Sequence, residues 1–306
     1  MDPDTFLTTL YVLVDECCRA IAAARRRGPE PALTRSEAVT LALFSQWRRF
    51  ASERDFYRYA DQQLRGAFPR LPHRTQLNRQ IRRERDAIVA VGHALADRMD
   101  ARAVEYEVLD GTAAPVRNIK RGGSGWLAGQ AAIGKSSRLG WYEGFAVLIS
   151  ASPQGVITGY GFGPGNMKDQ TLAETFFAAR RTPQPALPSV GRPSGEPYVA
   201  DSGFIGAKRH TGWAEAHGAR VLCPPYRSAA KNWPPQLRRW LGARRQVIES
   251  VNGCLVEHFR LDKDRTHTLD GFAARLAAKI ALHNACCWLN RLLGRGALVL
   301  ADLLGW

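Results

Sequence analysis

Asp110 and Asp201 occupy the same local setting. Each closes a short apolar run and precedes a small residue, in Val108-Leu-Asp110-Gly and Val199-Ala-Asp201-Ser-Gly. The alternating run Val104–Leu109 and the short run Tyr198–Ala200 read as strands. A carboxylate buried at a strand end costs free energy unless a charge compensates it. Two such ends in one sheet set two carboxylates side by side, where they repel unless a divalent cation neutralises them. Hard oxygen ligands suit Mg²⁺ or Mn²⁺. Taken singly, each aspartate is more simply a turn or N-cap residue.

Glu249 is the third acid of interest. The spacing of Ile248, Val251, Leu255 and Phe259 predicts a helix over roughly 236–259 with those residues as its buried stripe. Glu249 lies at the border of that stripe, with Arg245 four residues before it and Asn252 three after, all on one face. From the helix alone, an exposed Arg245–Glu249 pair worth about 0.3–0.5 kcal/mol is the simpler reading. Asp169 is a possible fourth carboxylate, which an N-cap in front of a helix over 170–180 explains more simply. Glu257 and His258 fall more than two turns past Glu249. The glycines of 122–125 followed by Lys135-Ser136 miss the spacing of a phosphate loop. His283, Cys286 and Cys287 read as packing residues of a last helix, and no cysteine spacing suggests zinc.

The chain has 306 residues, enough for one large domain or two ordinary ones. Forty-three Lys and Arg face 28 Asp and Glu, a formal charge of +15. Such an excess favours a polyanionic partner, nucleic acid above a membrane surface. Two basic clusters lie beside the acids. Arg117, Lys120, Arg121, Lys135 and Arg138 follow Asp110. Arg227, Lys231, Arg238, Arg239, Arg244 and Arg245 precede Glu249 with no acid among them. Basic residues next to acidic ligands fit a phosphate track leading to a metal site; the plainer reading is a solvated face. Trp233 and Trp240 are candidates for stacking on an unpaired base, although core packing explains each more simply.

Residues 1–102 read as all-helical. Leu7, Leu10, Tyr11 and Val14 recur at helix spacing, Thr34-Arg-Ser-Glu37 is a capping box, and Phe56, Tyr59 and Ala60 mark another helix. One longer helix is expected over 75–100, with Leu77, Ile81, Ile88 and Val91 buried and Arg79, Arg82, Arg83 and Arg85 largely opposite. An Arg-rich helix of this kind suits either a DNA groove or solvent. From residue 103, strands over 104–109, 144–150, 156–162, 198–200 and 220–223 alternate with helices over 169–180, 207–217, 236–259 and 269–293. That order describes an α/β fold, a mixed sheet flanked by helices. No apolar stretch approaches the ~20 residues of a membrane span. The acidic start Met-Asp-Pro-Asp is unlike a secretory signal, so a cytoplasmic, nucleoid-associated protein with reduced thiols is expected.

Three stretches together resemble the DDE transposases of small bacterial insertion sequences, whose catalytic domain is RNase H-like. They are Val108-Leu-Asp-Gly-Thr-Ala-Ala-Pro-Val116, Tyr198-Val-Ala-Asp-Ser-Gly-Phe-Ile-Gly206 and Arg244-Arg-Gln-Val-Ile-Glu-Ser-Val-Asn-Gly253. The spacing of Asp201 and Glu249 agrees with one subgroup, and Gly163-Pro-Gly-Asn-Met-Lys-Asp169 is similar to the segment between third strand and first helix. The resemblance covers residues 100–290 and implies that Asp110, Asp201 and Glu249 bind two Mg²⁺ or Mn²⁺ ions, Asp110 bridging them. It implies cleavage at the ends of the chain's own element and strand transfer into target DNA. It also implies double-stranded DNA partners, the terminal inverted repeats and the target, bound by a homodimer. Residues 1–102 are then the helical DNA-binding region and 103–306 the catalytic domain. The sequence departs from the family where a Lys and a His are common in the second strand, since Gly144-Phe-Ala-Val-Leu148 has neither. Gly242 and Val256 stand where a related subgroup has Tyr and Lys. The rival functions are a sequence-specific DNA-binding protein without catalysis and an RNase H-like nuclease that hydrolyses without joining.

Overall fold

The computed structural model describes residues 1–21, 30–119, 125–181, 197–225 and 233–305. Lys120, Arg121, Arg227 and Lys231, expected to contact DNA, lie outside them.

Local signals start most of the N-terminal helices. Asp2 accepts the Thr5 N–H at 2.9 Å ahead of Pro3, so α1 (Pro3–Arg19) begins there. The expected capping box opens α2 (Arg35–Phe44): Glu37 N–H donates to Thr34 Oγ1 at 3.2 Å, and Thr34 N–H to Glu37 at 2.6 Å. Ser52 caps α3 (Glu53–Gln63). The long helix expected over 75–100 is two helices, α4 (Arg74–Arg83) and α5 (Arg85–Arg98). The break is at Glu84 (φ −90°, ψ 10°), whose carboxylate is buried and held by Arg35 at 3.3 Å. Leu77, Ile88 and Val91 are buried, whereas Arg79, Arg82 and Arg83 are exposed.

Six strands follow: β1 (Glu107–Arg117), β2 (Ala132–Ser136), β3 (Gly140–Ala151), β4 (Ile157–Pro164), β5 (Tyr198–Ala200) and β6 (Val221–Leu222). The sheet runs β2-β3-β1-β5-β6, with β4 also paired to β3. β1, β3 and β4 are antiparallel neighbours, while β5 and β6 join β1 in parallel. β2 and β4 pair with successive stretches of β3, Gly140–Gly144 and Phe145–Ala151. β2 was not foreseen, because its polar, glycine-containing residues carry little strand signal. It is held by the ladder to β3 and by its close approach to Gly165, just past β4.

Helices cover both faces, the RNase H-like arrangement. α6 (Asp169–Arg181) and α7 (Ala207–His217), which stops at left-handed Gly218 (φ 67°), cover one face. There Leu109, Leu148 and Ala200 pack with Leu172, Phe176, Phe177 and Trp213. α8 (Pro235–Glu257) and α9 (Leu269–Leu292), the latter capped by Thr268, cover the other. There Val108, Val147 and Ile149 meet Ile248, Val251, Leu255 and Phe272. This second core runs on into the N-terminal helices, where Trp47 packs edge-on against Phe259 at 5.3 Å. Among the described residues, no helix is long and apolar enough to cross a membrane.

Candidate active site

The parallel register sets Leu109 opposite Ala200, so Asp110 and Asp201 follow the last shared rung of β1 and β5. Neighbouring strands lie about 4.8 Å apart, and residues in register face the same side. Asp110 was expected at the end of its strand. It lies within β1, because the antiparallel ladder to β3 continues as far as Arg117. What ends at Asp110 is its β5 neighbour. A notch opens there beside the uncovered edge of β1.

Val108 faces the α8 side and Leu109 the α6 side, so strand alternation turns Asp110 toward α8. Asn252 of α8 meets it, Nδ2 donating to Asp110 Oδ2 at 3.0 Å. Asp201 does act as the cap that a single aspartate suggests. Its Oδ1 accepts the Gly203 N–H at 2.7 Å in the short turn Ser202–Phe204. Glu249 is one helical turn before Asn252. Its carboxylate is exposed, 4.0 Å from Arg245, so the surface pair read from the helix is present. The same cleft is nevertheless lined by Asp110, Asp201, Glu249 and Arg245.

Burial pushes Asp110 up to about 7, and the charges of Asp201 and Asp169 push the same way, while Arg245 opposes them. Asp169 is the first residue of α6, as the helix expected over 169–180 has it, and its carboxylate lines the cleft rather than serving only as an N-cap. Burial and then Asp201 raise its pKa. The cleft thus concentrates negative charge with hard oxygen atoms, a donor set that fits Mg²⁺ or Mn²⁺. Among the described residues, no three such side chains are already drawn together as a finished metal site.

The basic residues divide. Lys135 and Arg138 are exposed on the β2–β3 hairpin and line the cleft. Arg117 turns inward, 3.3 Å from Glu143 with its side chain 15% exposed. Arg238 and Arg239 are exposed on the first turn of α8. Arg244 stacks over Trp240 at 5.0 Å and Tyr106 at 5.8 Å, so one face of Trp240 already has a partner. Trp233 is half-buried. A cleft aromatic that sequence reasoning missed is Trp141, 62% exposed, with Lys135 Nζ 5.6 Å from its ring centre. Its signal was faint, an aromatic placed just after the hairpin's left-handed Gly140 (φ 68°). His258 lines a neighbouring pocket with Arg48, Trp47 and Glu257, the last of which also lines the acidic cleft.

The family model for the transposase DDE domain matches residues 108–285, from β1 into α9. Neither the curated proteins nor the solved structures gave a match. A chain matched over more than half its length, with an RNase H-like sheet that brings acids from β1, the end of β5 and α8 to one cleft, belongs to the transposase DDE domain family.

Proposed function

We propose that this chain is a DNA transposase that cuts DNA at the ends of its own element and joins the cut ends to target DNA. The observation that carries this reading is the register of β1 and β5 together with the Asn252–Asp110 bond. The register ends one residue before each of the two aspartates, and the bond anchors the turn of α8 that carries Glu249.

Asp110, Asp201 and Glu249 would hold two Mg²⁺ or Mn²⁺ ions. Such ions, when bound, lower the pKa of water and offset charge on the reacting and leaving oxygens. Asp110 must then give up the proton that burial and its acidic neighbours favour. Arg245 assists, its positive charge opposing that protonation. Glu249 turns from Arg245 into the cleft by side-chain rotation. Lys135 and Arg138 hold backbone phosphates along the cleft wall and so set the scissile bond in register. Hydrolysis breaks the bond from phosphorus to the 3′ oxygen and frees a 3′-OH. In joining, that hydroxyl replaces water as nucleophile and the target's 3′ oxygen leaves.

The exposed first turn of α8 and the Arg79, Arg82 and Arg83 face of α4 extend the phosphate track, with residues 1–102 serving as the DNA-binding region. The working form is a homodimer on DNA, within the cytoplasm and on the nucleoid. A strand-transfer assay with terminal-repeat oligonucleotides and Mg²⁺ tests this reading. Asp110→Asn, Asp201→Asn and Glu249→Gln should each abolish cleavage while leaving gel-shift binding mostly intact. Hydrolysis without joined product would favour a nuclease. Binding with no metal-dependent nicking in the unaltered chain would favour a regulator.

A further inference from the structure

Asp169 is the acid that the three-carboxylate reading leaves unused. It opens α6, on the sheet face opposite α8, yet its carboxylate reaches the notch where β5 ends. Its Oδ1 lies 2.7 Å from the point where a Cβ on Gly111 would stand, and Oδ2 lies 3.7 Å from the corresponding point on Gly203. Gly111 directly follows Asp110, and Gly203 is two residues past Asp201. Both positions lack a side chain, and a Cβ on Gly111 would collide with the carboxylate.

The carboxylate stands in the first turn of α6 but is turned toward the notch. It accepts no hydrogen bond and makes no ion pair with any described residue. Asp201 carries its like charge nearby, and Asp110 is close enough to feel Asp169. A half-buried carboxylate with no hydrogen-bond donor and a like charge beside it has only the N-terminus of α6 to stabilise it, and a cation would stabilise it further. The metal-dependent chemistry proposed for this cleft would supply such a cation. Mg²⁺ takes six oxygen ligands and Ca²⁺ six to eight, so two ions have room for a fourth acid.

We infer that Asp169 is a fourth carboxylate ligand of the metal centre, entering from the α6 side of the sheet through the space left by Gly111. The inference rests on the proposed metal-dependent reading of the cleft. Asp169 joins Asp110 and Asp201 from one face while Glu249 approaches from the other. The carboxylates would thus come to the cations from both faces of the sheet.

The test is Mn²⁺ titration of the full chain, read by electron paramagnetic resonance of free Mn²⁺, together with thermal melts with and without Mn²⁺. Asp169→Asn should weaken Mn²⁺ binding about tenfold or more, and should shrink the rise in Tm that Mn²⁺ produces. Without metal its Tm should equal or exceed that of the unaltered chain, because a repulsive charge is gone. Gly111→Ala keeps the charge but displaces the carboxylate, and should also weaken Mn²⁺ binding. Glu174→Gln, an exposed acid on the same helix, should change nothing. Unchanged Mn²⁺ affinity in Asp169→Asn, with affinity lost in Asp201→Asn, would overturn the fourth ligand and leave the proposed function standing. Unchanged affinity in Asp201→Asn as well would overturn the metal-dependent reading itself. A metal-free Tm that falls in Asp169→Asn with Mn²⁺ affinity intact would show a purely structural helix-end acid, and would also overturn the inference.

Discussion

Asn252 on α8 donates a 3.0 Å hydrogen bond to Asp110 on β1, joining side chains 142 residues apart in the chain. The buried stripe Ile248, Val251 and Leu255 seats α8 on the sheet, and the bond holds the Asp110 carboxylate against the face that carries Glu249 one turn earlier. Groups that orient metal ligands commonly matter ten- to a hundredfold. Asn252→Ala should therefore lower Mg²⁺-dependent cleavage by about that factor while gel-shift affinity for DNA stays near its original value. An equal loss of both would place Asn252 in DNA contact instead.

Beneath the site, Glu107 and Arg180 form a fully buried pair at 2.8 Å. Thr158 donates to Glu107 at 2.6 Å, Ser150 also bonds it, and Arg180 reaches the Tyr198 hydroxyl at 2.7 Å. Removing either charge leaves the other buried and uncompensated, at a cost of about 3–5 kcal/mol. Arg180→Met should lower the urea midpoint by that equivalent. The double variant Glu107→Met with Arg180→Met should recover part of the loss. A double variant worse than the single would mean that the pair itself, rather than its desolvation, dominates.

The cleft wall depends on one close approach. A Cβ on Gly134 of β2 would stand 2.0 Å from the Gly165 carbonyl oxygen. That oxygen is backbone and cannot swing aside. Gly134→Ala should push the β2–β3 hairpin away from the segment leading to Asp169, at about 1–3 kcal/mol. Gly242→Ala, in the open interior of α8, should instead stabilise by roughly 0.5–1 kcal/mol. Thermal melts of the two variants should move in opposite directions.

The contrast between these elements explains what could be read in advance. Thr34 and Glu37 define a helix start through neighbours three residues apart, and the structure keeps it. The strand-end motif around Asp201 is local in the same way. Asp110 was placed at a strand end because the apolar run stops there, but pairing to distant β3 carries β1 onward. The bend at Glu84 needs a partner, Arg35, from another helix. Asp169 looks like a cap in sequence because the sequence cannot show that Gly111 leaves space for its carboxylate. Local chemistry was legible, whereas long-range partners were not.

Two buried histidines should make stability pH-dependent. His283 donates Nε2–H to the Gly155 carbonyl at 2.9 Å, and burial pushes its pKa down to about 4. Burial, then Arg102 and Arg180, bring His93 to about 3. Unfolded, both return to about 6.5, so below that value the unfolded chain holds more protons than the folded one. Their contribution is complete above about pH 6.5 and is lost as the pH falls, at about 2 kcal/mol each by pH 5. His93→Met should reduce the difference in unfolding free energy between pH 7 and pH 5 by about that amount. An unchanged difference would mean that the folded state already carries His93 charged.

The phosphate track is open to a test that separates its two halves. Each phosphate contact on duplex DNA steepens the dependence of log affinity on log salt by about 0.9. Arg238 and Arg239 are exposed at the start of α8, and Arg79, Arg82 and Arg83 on α4. Replacing Arg238 and Arg239 by Gln should flatten the salt slope by about 2, with affinity falling alike for terminal-repeat and unrelated duplexes. Replacing the three α4 arginines should cost more on the terminal repeat than on unrelated DNA if that helix reads a groove. An equal loss on both duplexes would make α4 another backbone contact, and an unchanged slope in either variant would turn that face away from DNA.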